Sequence, residues 1–132
     1  MTNLDLSASE KTPYFKLNDD GNFSFGGISM PEDAASFYFK IIDWLKDYYN
    51  NPKKETFVTV SFRYLNSSSS RMVLKMFQAF KGLQATGKTN VKCTWYYEED
   101  DLDMRDYVHE VKKHADNIEF EILPTDEIET PK

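Results

Sequence analysis

Four consecutive serines, Ser67 to Ser70, are the residues of this chain whose type and spacing point most directly to chemistry. They stand between an alternating apolar run, residues 56–65, and a run with helical spacing, residues 72–83. This order predicts a corner at which a strand ends and a helix begins. The first N–H groups of a helix lack partners within the helix and lie at the positive end of its dipole. The corner therefore favours a negatively charged group, such as a phosphate, beside these hydroxyls.

An acidic run follows the next predicted strand along the chain. Residues 91–97 alternate in polarity, and Glu98 to Asp101 come directly after them, with Asp103 two residues further on. The carboxyl ends of parallel strands meet at one edge of a sheet, so we expect the serines and the acidic run to be neighbours. We interpret the run as a solvated helix start and not as a metal site, because it has neither the spacing nor the glycine of an EF-hand. His109 and His114 lack partner ligands at zinc spacing and are interpreted as surface histidines.

The N-terminal segments predict a tail followed by a hairpin. Residues 1–11 are polar and are expected to form a flexible tail. The Asp20-Gly21 pair separates two short apolar runs, which predicts strands near 13–18 and 22–27.

Helices and strands then alternate to the end of the chain. Ser29 and Glu32 have the spacing of a capping box, and the apolar stripe that follows from Ala34 to Tyr48 predicts a helix. After the serine helix, Gly87 is placed to end it, and a strand, a shorter helix and a last strand follow. This order predicts an α/β single domain: a mixed sheet of about five strands with an N-terminal hairpin and about three helices.

Composition limits the classes of function. The 132 residues are 40% apolar, which suits one domain. A net charge of −6 argues against nucleic acid or an anionic membrane surface as partner. No apolar stretch has the length that a bilayer requires, and the first residues lack the pattern of a signal peptide. The single cysteine, Cys93, fits a reducing compartment, so we expect a cytoplasmic protein.

Three motifs in a fixed order resemble a known family over about residues 12–123. They are Pro31-Glu32-Asp33-Ala34 with Trp44-Leu45, then Tyr64-Leu65-Asn66-Ser67-Ser68-Ser69, then Trp95-Tyr96-Tyr97-Glu98-Glu99-Asp100-Asp101. Together they resemble the SiaC family of bacterial regulatory phosphoproteins. The resemblance implies a fold similar to the STAS domain of anti-sigma factor antagonists. The residues that follow it, 124–132, are expected to form an acidic C-terminal tail.

The resemblance also implies a partner-switching protein without catalysis or cofactor. A serine/threonine kinase would phosphorylate a hydroxyl at the corner, a metal-dependent phosphatase would remove the phosphate, and the unphosphorylated form would bind a target such as a diguanylate cyclase. The family's acceptor follows the corner asparagine and maps onto Ser67, with Ser68 as the second choice. The expected partner-binding residues surround it: Asn66, Ser69, Ser70, Arg71, Tyr97, Glu98, Glu99, Asp100 and Asp101.

Two other classes of function remain open from the residues alone. One is a constitutive protein-binding module that is not phosphorylated. The other is a small serine hydrolase, which would need a base such as His109 within hydrogen-bond reach of Ser67. The second is disfavoured because the corner lacks the Gly-x-Ser-x-Gly elbow, and the chain has no Gly-rich phosphate loop with its lysine.

Overall fold

The computed structural model describes residues 2–129 and contains one mixed sheet with three helices. The strands and helices run in the order β1 (Leu4–Leu6), β2 (Tyr14–Leu17), β3 (Asn22–Ser29), α1 (Ala34–Tyr48), β4 (Glu55–Leu65), α2 (Ser67–Ala85), β5 (Asn90–Glu98), α3 (Leu102–His114) and β6 (Glu119–Thr125). The α/β class, the hairpin and the three helices agree with the prediction. None of these three helices has the length and apolar character needed to span a bilayer.

Strand order follows chain order from β1 to β6. The pairs β1–β2 and β2–β3 are antiparallel, whereas β3, β4, β5 and β6 run parallel. The β2–β3 turn contains Gly21 at φ +96°, where an added Cβ would lie 2.6 Å from the Glu55 carbonyl oxygen. Only glycine fits this turn, as the Asp-Gly signal predicted.

The sixth strand is β1, which the sequence prediction of about five strands missed. Residues 1–11 were expected to be a flexible tail, but Leu4 and Leu6 pair with Leu17 and Phe15 and pack against the core. The Trp44 indole N–H also donates to the Thr2 carbonyl oxygen at 2.8 Å. A three-residue strand with an aspartate at its centre carries little periodic signal, and its order comes from these tertiary contacts.

The start of α1 also differs from the prediction. The helix begins at Ala34, and Asp33 is its N-cap, with its carboxylate accepting from the Ser36 backbone N–H at 3.1 Å. A hydrogen bond from the Ser36 hydroxyl, together with this one from the backbone N–H, lowers the pKa of Asp33. The predicted capping box of Ser29 and Glu32 is wrong, because Ser29 is the buried last residue of β3.

All three helices pack on one face of the sheet. A single cluster of buried side chains combines alternate residues of the strands, such as Val58, Val60 and Phe62, with the apolar faces of the helices. Met72 and Met76 belong to this core, as their helical spacing predicted. The opposite face of the central strands carries exposed or half-buried side chains such as Thr59 and Thr94. Helix crossovers that run in one direction along a sheet place every helix on the same side of it.

The carboxyl ends of β3, β4, β5 and β6 lie along one edge of the sheet. The predicted acidic tail, residues 124–132, begins inside β6, which extends to Thr125. Ile128 is buried, and its N–H donates to the Glu98 carboxylate at 3.1 Å, so the chain packs back on this edge after the strand. The remaining tail residues, 130–132, lie outside the described residues.

Candidate functional site

The strand-to-helix corner lies where the sequence predicted it. β4 ends at Leu65, and Asn66 has the extended backbone of an N-cap before α2 begins at Ser67. The Asn66 side-chain oxygen accepts from the Ser69 N–H at 2.9 Å, and its own N–H donates to the Ser29 carbonyl at 3.0 Å. The cap therefore joins the helix start to the end of β3.

The four serines have four different environments. The Ser68 hydroxyl donates to the Asn66 side-chain oxygen at 3.2 Å, and the Ser70 hydroxyl donates to the Asn66 carbonyl at 3.0 Å. Ser69 is fully buried. Ser67 alone is exposed, and its hydroxyl forms no hydrogen bond within residues 2–129. Ser67 is thus the serine of the run whose hydroxyl another protein can reach.

Three buried hydroxyl groups, linked by hydrogen bonds, fix the corner on its core side. The Ser29 hydroxyl donates to the Ser69 hydroxyl at 2.8 Å and lies 2.8 Å from the Tyr38 hydroxyl. All three side chains are fully buried, and Tyr38 belongs to α1. Ser69 was expected to contact a partner, but it has no exposed surface. It instead holds the first turn of α2 against β3 and α1.

A second phenol holds the corner from the side of α3. The Tyr107 hydroxyl donates to the Ser70 carbonyl oxygen at 2.6 Å. Burial raises the pKa of Tyr107, and the nearby Tyr38 phenol raises it further. Burial likewise raises the pKa of Tyr38. Both phenols therefore keep their protons and act as donors at neutral pH.

A groove of about 280 Å³ lies between the corner and the start of α3. We call it the corner groove. Its lining combines buried or half-buried side chains with three exposed ones: Leu65, Ser70, Asp101, Met104 and Tyr107, and then Arg63, Tyr64 and Asp103. The serine corner and the end of the acidic run are neighbours here, as the parallel topology predicted.

The rest of the acidic run faces a different part of the edge. Glu98, Glu99 and Asp100 line a shallow cleft with the residues that follow β6, including Asp126. Asp101 is the N-cap of α3 and accepts from the Met104 N–H at 3.1 Å. The structure therefore separates Glu98 to Asp100 from the corner groove. No group of three His, Cys, Asp or Glu side chains is arranged to hold a metal ion in the part of the chain described.

The remaining residues singled out in the sequence lie on α2, β5 and α3. Arg71 is exposed on α2, one turn after Ser67. Tyr97 is half-buried and packs against the core. His109 and His114 are exposed on α3, as expected of surface histidines.

Tyr64 is a groove residue that alternation along residues 56–65 does not identify. Its spacing puts it on the same face as Val58, Val60 and Phe62, which are buried, yet its own side chain is 51% exposed. The pairing of β3 with β4 shifts between Gly27 and Ile28, so that β4 carries one extra residue, Arg63. Such a bulge turns the following side chains to the other face of the sheet. The local spacing of apolar residues does not predict it.

Comparison with known proteins identifies relatives along nearly the whole chain. The model of a family described as "SiaC family regulatory phosphoprotein" matches residues 6–125. An uncharacterized protein of Pseudomonas aeruginosa (strain UCBPP-PA14) is 22% identical over 99 residues, which make up 74% of this chain and 78% of that protein.

Solved structures share the fold. Apo-SiaC from Pseudomonas aeruginosa superposes with a TM-score of 0.82 at 21% identity, over 93% of this chain and 99% of that chain. SiaC from the same organism, in a crystal structure of the diguanylate cyclase SiaD in complex with its activator SiaC, gives 0.83 at 20% identity, over 92% and 99% of the two chains. At this level of identity the likeness establishes a common fold.

Proposed function

Because the chain belongs to the SiaC family of regulatory phosphoproteins, we propose that it is a phosphorylation-controlled partner-switching protein whose phosphate is carried by Ser67. Its role is regulatory and not catalytic. The unphosphorylated form binds a target protein, and phosphate at the corner releases that target.

The observation that carries the choice of Ser67 is its free hydroxyl. A kinase must bring the acceptor oxygen in line with the γ-phosphorus of ATP, which requires an accessible side chain. Ser67 is exposed and unbonded in the described chain, whereas Ser68 and Ser70 are held by Asn66 and Ser69 is buried. Ser68, half-buried, is the second choice.

The modification cycle uses ordinary phosphoryl transfer. The Ser67 oxygen forms a bond to the γ-phosphorus of ATP while the bond to the β,γ-bridging oxygen breaks, ADP leaves, and a base of the kinase takes the hydroxyl proton. A metal-dependent phosphatase then directs water to the phosphorus, which returns the hydroxyl and releases inorganic phosphate. This chain supplies only the acceptor side chain and its exposure.

The corner can carry the phosphate without unfolding. Phosphorylation adds about −1.5 to −2 charges, and the helix N-terminus stabilises a negative group by roughly 0.3–2 kcal/mol. Arg71, four residues after Ser67, lies on the same helix face and offers a cation. A partner that covered this surface would have to desolvate the phosphate, at a cost of several kcal/mol. The phosphate therefore opposes the interface much more than it opposes the fold.

We propose a diguanylate cyclase as the target. The support is the relative SiaC, which has been solved in complex with the diguanylate cyclase SiaD as its activator. The output of the switch would then be the synthesis of cyclic di-GMP.

The proposal is tested by incubating the chain with the serine/threonine kinase encoded in the same genome and ATP, and mapping the phosphate by mass spectrometry. We expect a single phosphate on Ser67 in the wild type, retention in Ser68→Ala and loss in Ser67→Ala. Phosphate on a residue outside the serine run would disprove the site. A chain that takes no phosphate yet binds the cyclase would instead be a constitutive binding module.

A further inference from the structure

One of the two most exposed apolar side chains in residues 2–129 lines the corner groove. Among the large hydrophobic residues of the described chain, Leu102 at 53% and Tyr64 at 51% have the greatest exposure. Tyr64 lines the groove, whereas Leu102 only neighbours the lining residues Asp101 and Asp103 in sequence. An exposed aromatic side chain at the mouth of a partly apolar groove is suited to contact with another protein.

The groove has room for a protein side chain. Small-molecule sites usually enclose about 300–1,000 Å³. The corner groove, at about 280 Å³, is at the small end of that scale, and it is open on the side where Tyr64 and Asp103 are exposed. Part of its interior surface is apolar and is formed by Leu65, Met104 and Tyr107. It can receive one large apolar side chain from outside.

The charges of the groove determine which partner residue is favoured next to that apolar side chain. Asp101 uses one carboxylate oxygen to cap α3, and Asp103 is exposed and forms no ion pair within residues 2–129. Arg63 also lines the groove and lies 3.9 Å from the exposed Glu127 carboxylate. Two carboxylates, Asp101 and Asp103, thus stand against one guanidinium in the lining, so the groove is acidic on balance and favours a cation beside the apolar side chain.

We propose that the corner groove is the docking site for a segment of the partner protein that presents a large apolar side chain next to a lysine or arginine. The apolar group enters beside Tyr64, and the cation meets Asp103. Ser70 lines the groove, and Ser67 lies one turn before it on α2. A phosphate on Ser67 would thus stand at the border of the docked segment. This inference rests on the proposed function, because it places the target beside the phosphorylated residue.

The test measures the affinity of the unphosphorylated chain for the diguanylate cyclase encoded in the same genome, by isothermal titration calorimetry. Tyr64→Gln should weaken binding by about tenfold or more. Asp103→Asn should weaken it by about threefold to tenfold and reduce its dependence on salt. Matched controls are Phe39→Gln, an apolar residue of α1 that is 48% exposed, and the exposed Asp43→Asn on the same helix. Both controls should bind like the wild type with unchanged melting temperatures.

The two proposals fail separately in this experiment. If Tyr64→Gln and Asp103→Asn both bind like the wild type while Ser67→Asp releases the cyclase, the groove is not the docking site and the switch stands. If Ser67→Asp binds like the wild type, the proposed phosphorylation switch is wrong. The docking site is then confirmed or refuted by the affinities of the groove variants alone.

A second measurement needs no protein partner. Phenethylammonium combines an aromatic ring with a cation, and 3-phenylpropionate is an anion of similar size. In NMR titrations of the ¹⁵N-labelled chain, the cation should shift the amide signals of Leu65, Ser70 and Met104, and the anion should not. Asp103→Asn should reduce the shifts caused by the cation. Shifts of equal size from both compounds, or none at these amides from the cation, would refute the proposed chemistry of the groove.

Discussion

The hydroxyl of Ser29, at the end of β3, donates a hydrogen bond to the hydroxyl of Ser69 at 2.8 Å inside the core. Ser69 is two residues from the exposed Ser67 on the first turn of α2. One serine of the run therefore holds the corner in place while another faces outward. This division of roles leaves the Ser67 hydroxyl accessible from outside while the contacts that position the helix start stay buried.

We expect a negative charge at Ser67 to weaken binding of the cyclase target and neutral truncation to preserve it. Ser67→Asp should lower the affinity by about tenfold or more, since the interface would bury an additional charge. Ser67→Ala should remain within about threefold of the wild type. The control Gln78→Glu adds the same charge at an exposed position further along α2 and should have no effect. Equal affinities for the Ser67→Asp and Ser67→Ala variants would indicate a constitutive module.

Arg71 should stabilise the dianionic form of a phosphate on Ser67. It lies four residues further along the helix and forms no ion pair with the described acidic residues. The second pKa of phosphoserine is about 6, and Arg71→Gln should raise it by on the order of 0.3 of a unit, because a nearby cation favours the charged form. A ³¹P NMR pH titration measures the value. Lys75→Gln, one turn further on, should change the pKa less, and equal effects from the two variants would contradict a specific pair.

Loss of the buried Ser69 hydroxyl should destabilise the fold. Ser69→Ala removes the acceptor of the Ser29 hydroxyl inside the core, and a buried group that loses its partner typically costs about 1–3 kcal/mol. Ser68→Ala removes only a half-buried hydrogen bond to Asn66 and should change the free energy of unfolding by less than about 0.5 kcal/mol. Urea denaturation followed by circular dichroism gives both values. Similar losses for the two variants would mean that the hydroxyl chain beneath the corner contributes little.

The buried phenols should make stability fall in alkaline solution. Burial raises the pKa of Tyr38 and of Tyr107 above the ordinary tyrosine value of 10.0. In the unfolded chain these groups ionise near that value while the folded chain keeps their protons, so the contribution of the two phenols to stability is full below about pH 10 and declines as the pH rises further. Burial also raises the pKa of the Cys93 thiol above its ordinary value of 9.0, so its contribution begins to decline at a lower pH. Tyr38→Phe should reduce the steepness of this decline, as measured by urea midpoints at about pH 8 to 11. The exposed Tyr96→Phe should leave the decline as steep as in the wild type.

The elements that position the site follow from local patterns. Alternation over residues 56–65 and the apolar stripe from Ala34 to Tyr48 predicted β4 and α1 closely, because each pattern matches the period of one backbone conformation. The apolar residues and Gly87 similarly bounded α2, where Gly87 takes a positive φ of 72° just after the helix. The parallel order of β4 and β5 then implied that the serines and Asp101 share an edge.

Other features had too weak a local signal to be predicted. β1 consists of three residues that are ordered by pairing with β2. Asp33 and not Ser29 caps α1, because β3 continues to Ser29 and buries it. The bulge that exposes Tyr64 arises from the pairing of two strands more than thirty residues apart in sequence. Each depends on a distant segment, which local periodicity does not record.

The sequence by itself determined that a strand delivers a run of serines to the start of a helix, since polarity patterns and turn residues act over a few neighbouring positions. Only the tertiary structure decided that Ser67 has the exposed hydroxyl and that the Ser69 hydroxyl is hydrogen-bonded inside the core. It also decided that Tyr64 and Asp103 line the same groove. The four serines are chemically identical, so their roles differ only through the strands and helices that pack around them.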